Sequence, residues 1–221
     1  MSELLEKILN RENMNKAYKR VKANKGTSGI DEITIEDAFA YIKENWESIR
    51  AEITERKYKP QPVKRVEIPK PNGGTRNLGI PTVMDRIIQQ AMVQVLSSIC
   101  ETFFSDYSYG FRPNRSCEQA IMKLLEYFND GYEWIVDIDL EKFFDNVPQD
   151  KLMSHVHIII NDGDTESLIQ IVQMCTYLSS SLNGQTFKHI LQLMHLVSSI
   201  FGYKKPSSSS IIDIAFFEQI E

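Results

Sequence analysis

Cysteine is scarce in this 221-residue chain. Cys100, Cys117 and Cys175 are odd in number and far apart, so neither a disulfide framework nor a zinc-type grouping of thiols emerges. A reducing, cytoplasmic setting is the expectation. Long hydrophobic runs are missing as well. The longest apolar stretch, residues 190–201, is interrupted by Gln192 and His195, too short and too broken to span a bilayer. The polar, acidic start does not read as a signal peptide. His155, His157, His189 and His195 show no metal-ligand spacing, which leaves packing or exposure as the reading for each. Net positive charge is lacking too: the formal charge is −5, which at first argues against a nucleic-acid partner.

The distribution of charge argues the other way. Between residues 50 and 76 the basic residues are Arg50, Arg56, Lys57, Lys59, Lys64, Arg65, Lys70 and Arg76, against the acids Glu52, Glu55 and Glu67. The acids gather instead between residues 101 and 166. A basic front and an acidic middle suit a protein that grips phosphates in one place and a metal in another. With 42% hydrophobic and 25% charged residues, the chain is otherwise an ordinary globular one, long enough for one large or two small domains.

Residues 2–24 read as one or two helices, with Met14, Ala17, Tyr18 and Val21 at helical spacing. Residues 24–29 then form a loop around Lys25, its glycines supplying turn geometry. Thr34 and Asp37 predict a helix cap, followed by the core-facing stripe Ile35, Phe39, Ile42, Trp46, Ile49 and Ile53. Pro60 and Pro62 end that helix. Residues 63–69 and 75–80 predict two strands joined through Asn72-Gly73, a strong hairpin signal. Lys70 and Arg76 flank its tip and together suit a polyphosphate, Arg as a planar fork and Lys as a mobile charge; a hairpin merely made soluble by its charges is the equal alternative.

A second capped helix starts at residues 81–85 and runs to about 102. Its apolar face of Ile87, Ile88, Ala91, Met92, Val95, Leu96 and Ile99 makes it a core helix, with Arg86 and Gln90 expected to be exposed. Tyr107, Tyr109, Phe111, Arg112 and Arg115 crowd the loop that follows, a composition on which bases stack while phosphates are held. Ser116 and Gln119 predict a capping box for a helix closed by Gly131, with Ala120, Ile121, Leu124, Leu125 and Phe128 as its core stripe. Residues 134–139 then read as a short buried strand with Trp134, Val136 and Ile138 on one face and Ile135, Asp137 and Asp139 on the other. Carboxylates ending an apolar strand are costly unless a cation, donors or water satisfy them. Mg²⁺ takes such oxygen ligands, and a strand simply reaching solvent is the plainer alternative.

Four blocks carry a resemblance. They are Asn15-Lys16-Ala17-Tyr18 through Gly29-Ile30-Asp31, the Ile68-Pro69-Lys70 to Ile80-Pro81 hairpin, Tyr109-Gly110-Phe111-Arg112-Pro113, and Asp139-Leu140-Glu141-Lys142-Phe143-Phe144-Asp145. In this order, over about residues 5–169, they resemble the N-terminal extension, fingers and first half of the palm of group II intron reverse transcriptases, the intron-encoded maturases. The resemblance implies an α+β fold of the right-hand polymerase type with an incomplete palm. Residues 1–60 would form the helical extension and the start of the fingers, 61–131 the fingers, 132–169 the partial palm, and 170–221 a divergent tail. It further implies RNA-directed DNA polymerase chemistry on an RNA template or intron RNA, with a DNA primer and dNTPs as partners. Mg²⁺, or alternatively Mn²⁺, would be held by Asp139 with the Leu140 carbonyl. Phe144 would pack beneath the incoming sugar, Lys70 and Arg76 would hold its triphosphate, Arg112 and Pro113 would lie along the template, and Lys25 would sit in the loop that contacts template RNA. Asp137 and Asp145 would be supporting residues.

One departure bears on activity. Polymerases of this family complete the metal site with two adjacent aspartates preceded by a Pro-Gln-Gly segment, and these residues contain neither. Asp213, alone in an apolar run, is a poor substitute for a pair. A two-metal mechanism needs enough carboxylates to bridge both ions. The expectation is a truncated or frame-disrupted polymerase, inactive alone. A non-catalytic RNA-binding module is the alternative. Unpaired palm edges would also favour self-association.

Overall fold

A computed structural model describes residues 1–69, 73, 75–110, 112–134 and 148–177, with backbone only at 76–77 and 173–177. Seven α-helices and one two-stranded sheet make up the described residues: α1 (Glu3–Leu9), α2 (Arg11–Ala23), α3 (Ala38–Thr54), β1 (Lys64–Pro69), β2 (Thr75–Ile80), α4 (Val83–Cys100), α5 (Cys117–Asn129), α6 (Gln149–Ile160) and α7 (Gly163–Tyr177). The architecture is α+β, helices predominating.

α4 is the axis of the core. It packs against α1, α2, α3 and α6, and Val83, Ile87, Ile88 and Ala91 have no exposed surface. A helix covered nearly all round tolerates polar side chains only inside the packing. Gln90 is accordingly buried and Arg86 largely so, where exposure was expected of both. Asn13 ties the extension to this axis: its amide donates to the carbonyls of Ile8 (2.8 Å) and Ala91 (3.0 Å), and Gln94 donates back to its side-chain oxygen (2.8 Å).

Local capping accounts for the segmentation. Ser2 accepts the Leu5 amide at the start of α1, and Asn10 accepts the Glu12 amide to start α2, so residues 2–24 form two helices. Thr34 takes the Asp37 amide (3.2 Å) one turn ahead of α3. In α3, Ile49 and Ile53 are buried, but Phe39 is 55% exposed and lies against Tyr18 at the edge of the core. The expected hairpin forms, with Pro69 opposite Thr75 and Lys64 opposite Ile80 and with Gly73 at a positive φ of 83° in the turn. Every residue of β1 is exposed, so the hairpin projects from the helical body.

Two expectations are corrected. α5 has its capping box at Ser116 and Gln119, yet of its anticipated core stripe only Ala120 is buried. Ile121, Leu125 and Phe128 keep 49, 47 and 42% of their surface, because no described element packs closely on that face. Trp134 is 91% exposed and lies in no strand; the rest of the anticipated strand, residues 135–139, lies outside the described residues. α7 runs unbroken across residue 170, where the motif resemblance stops. Its start is fastened to the extension: Asp162 accepts from Thr165 and from the Ser2 hydroxyl (2.7 Å), and Asp164 accepts from the Ser2 amide (2.8 Å) and pairs with Arg56 (2.7 Å).

Candidate nucleic-acid interface

Three segments that the sequence marks for phosphate or RNA contact are the loop of Lys25, the hairpin of Lys70 and Arg76, and the loop of Arg112 and Pro113. The first two converge on the N-terminal turn of α4.

The Lys25 loop is pressed onto that turn. A Cβ at Gly29 would come within 2.6 Å of the Thr82 Cα and 2.8 Å of its amide nitrogen, so only glycine permits this backbone-to-backbone approach. Gly26 lies against the guanidinium of Arg86, whose Nη2 donates to the Thr27 carbonyl at 2.5 Å and whose Nε donates to the Thr82 carbonyl at 3.4 Å. Burial lowers the pKa of Arg86 from its ordinary value, and the Asp31 carboxylate opposes that shift. Turn geometry had been expected of the glycines; the positive φ falls instead on Lys25 itself, at 49°. Lys25 is exposed.

The hairpin is rooted in the same turn. Asp85 is 4% exposed and collects three donors: the Tyr58 hydroxyl (2.6 Å), the Thr82 hydroxyl (2.6 Å) and the Gln61 amide (3.2 Å). Thr82 accepts the Asp85 amide in return (3.1 Å), closing the cap. Burial raises the Asp85 pKa, and the hydrogen bonds from Thr82, Tyr58 and Gln61 oppose it. Residues 58–61 are thereby fixed a few positions before β1. A lone two-stranded ribbon is marginal in water, so such an anchor matters. Of the basic stretch leading to the hairpin, Arg56 is engaged by Asp164 and Lys57 by Glu55, while Lys59 and Lys64 are exposed. The Arg76 backbone pairs with Ile68. Lys70, Asp139, Leu140 and Phe144 lie outside the described residues, as do Asp137 and Asp145.

The third segment differs from its sequence reading in one respect. Arg112 is 8% exposed and turned inward. Its Nε and Nη2 both donate to Glu101 Oε1 (3.1 and 2.7 Å), its Nη1 donates to the carbonyls of Ser105 (2.5 Å) and Ser108 (2.9 Å), and its guanidinium lies 5.0 Å from the Phe104 ring centroid. Pro113 is exposed beside it, and Asn114 takes a left-handed φ of 61°. Arg115 lies over the Tyr109 ring at 5.5 Å, and Tyr107 is 38% exposed. Sequence reasoning missed Glu101, Tyr58 and Asp85. Asp85 could have been found as an acid in a capped first turn; no local pattern announced the other two.

Among the described residues no group of three or more His, Cys, Asp and Glu side chains could hold a metal ion. His157 is exposed, within the expectation of packing or exposure, and lies 3.0 Å from Glu166. No described helix is long and apolar enough to cross a membrane.

The chain belongs to the reverse transcriptase (RNA-dependent DNA polymerase) family, whose family model matches residues 68–196. That match passes Ile169, where the motif resemblance ends. Among curated proteins, the chain is similar to the group II intron-encoded protein LtrA of Lactococcus lactis subsp. cremoris. The two are 36% identical over 174 residues, covering 77% of this chain and 28% of LtrA. It is also similar to the protein YkfC of Escherichia coli K12 (35% identity, 76% of this chain and 46% of that protein). The putative COX1/OXI3 intron 2 protein of Saccharomyces cerevisiae is 32% identical over 76% of this chain and 19% of its own length. The chain thus spans less than half the length of each of these relatives.

Proposed function

We propose that these residues are the RNA-gripping extension and fingers of a group II intron-type reverse transcriptase, together with the segment bearing its first catalytic aspartate. The observation that carries this reading is the joint anchoring of the Lys25 loop and the hairpin root on one helix turn, through Arg86–Thr27 and Tyr58–Asp85, in a chain of the reverse transcriptase family. Two cation-bearing segments fixed to one rigid support hold a defined spacing, which suits a regular phosphate backbone. Flexible lysines alone would give attraction without register.

In this reading Lys25 and the loop of Arg112 and Pro113 serve template or intron RNA, Lys70 and Arg76 serve the dNTP triphosphate, and Phe144 serves its sugar. Asp139 and the Leu140 carbonyl would hold Mg²⁺, which supplies charge neutralisation during phosphoryl transfer. With no Asp-Asp pair among the 221 residues, the chain alone binds RNA and does not extend a primer. Primer extension on an RNA template with Mg²⁺ tests this. Template-dependent synthesis that Asp139→Ala abolishes would overturn the inactivity. RNA binding without synthesis is the expected result.

A further inference from the structure

We propose that Glu101 and Arg112 form a positioning pair that shapes the aromatic loop at residues 104–110, and that Arg112 acts on RNA through this loop and not by contact. The inference rests on the RNA-binding reading above and refines the residue that reading would first mutate.

Four of the five guanidinium hydrogens are accounted for inside the loop: two on Glu101 Oε1 and two on the carbonyls of Ser105 and Ser108. The Arg112 side chain retains 4% of its surface, and the Phe104 ring covers one side of its plane. A phosphate could reach it only by breaking this set, exchanging four charge-assisted or carbonyl bonds for one ionic contact. What Arg112 does accomplish is geometric. It gathers the two carbonyls and Phe104, so that the intervening segment closes on itself with Tyr107 at the surface and Tyr109 beneath Arg115. Among the described residues the Glu101 side chain hydrogen-bonds Arg112 and no other group. Glu101 follows α4 directly, which gives the pair a rigid base. Among the described residues its second oxygen, Oε2, is buried without a hydrogen-bond partner, so Arg112 is what holds its charge in place there. Removing Arg112 would strand that carboxylate, and removing Glu101 would leave Arg112 half-satisfied.

The test compares Glu101→Ala, Arg112→Ala and the double variant in the full chain. The readouts are hydrogen exchange without RNA and titration with a single-stranded RNA at several salt concentrations. The expected result is faster exchange confined to residues 104–112 with α4 unchanged. RNA affinity falls about tenfold in each single variant, the double variant is no weaker than Arg112→Ala, and the slope of log affinity against log salt is unchanged. If Arg112 contacted phosphate, Arg112→Ala would lower that slope by about 1 and Glu101→Ala would leave affinity intact or raise it. Either outcome overturns the proposal, as does a loop whose exchange ignores both substitutions. Should Glu101→Ala fail to fold, Glu101→Gln, which keeps an acceptor for Arg112, carries the comparison with a smaller loss of affinity. A wild-type chain that bound no RNA would defeat the RNA-binding reading and this role in it, while exchange would still decide whether the pair holds the loop.

Discussion

Tyr58 donates its phenolic hydrogen to Asp85 across 2.6 Å of buried space, joining the root of the hairpin to the first turn of α4. With burial raising the Asp85 pKa, the pH dependence has a definite sign. A carboxyl group whose folded pKa lies above its unfolded value favours folding most when protonated. That contribution is complete below the ordinary carboxylate pKa and is lost as pH rises through the folded one. Asp85→Asn removes the titration and leaves one fewer acceptor for three donors. It is expected to cost about 1–3 kcal/mol, with the gap to wild type wider near about pH 4 than near about pH 7. Urea midpoints of both proteins at the two pH values check this.

Lys25 occupies a left-handed φ of 49°, a conformation that favours glycine. Lys25→Gly is expected to leave stability unchanged or raise it by up to about 1 kcal/mol while weakening RNA binding and lowering its salt slope by about 1. Paired thermal and RNA titrations read both effects on one sample.

Gly29 meets the Thr82 backbone, which cannot yield as a flexible side chain would. Gly29→Ala is expected to lift the loop off α4 and lower stability by about 1–3 kcal/mol, whereas Gly110→Ala, with open space around it, should cost much less. Denaturant midpoints of the two variants make the comparison.

Ile87 and Leu125 are both apolar helix residues, and both were assigned to core stripes. Ile87 is fully buried in α4, and Leu125 is 47% exposed on α5. Ile87→Ala is expected to cost about 2–5 kcal/mol and Leu125→Ala under about 1 kcal/mol. Equal losses would mean that the α5 face is covered in solution.

These contrasts mark what periodicity can and cannot report. The capping box at Ser116 and Gln119, the capped start of α4, the Asn72-Gly73 hairpin and the apolar axis of α4 are local patterns, and each was legible in the sequence. The caps at Ser2 and Asn10, which divide residues 2–24 into two helices, emerge only in the structure. Which apolar stripe becomes covered depends on what packs against it, so α4 and α5 look alike in sequence and differ in burial. Arg112 shows the same limit for charge. An arginine among aromatic residues suits RNA equally as a contact or as a brace, and only the inward path to Glu101 and the Ser105 and Ser108 carbonyls separates the two. Tyr58 and Asp85 lie far apart in the chain, beyond the reach of any local motif.

The most direct measurement is a salt-dependent titration of the purified chain with a single-stranded RNA, run for wild type, Lys25→Ala/Lys70→Ala/Arg76→Ala and Asp139→Ala. Salt-sensitive binding that the triple substitution weakens severalfold or more and Asp139→Ala leaves unchanged is the expected result. Absence of RNA binding, or binding indifferent to the three basic residues, would contradict the account.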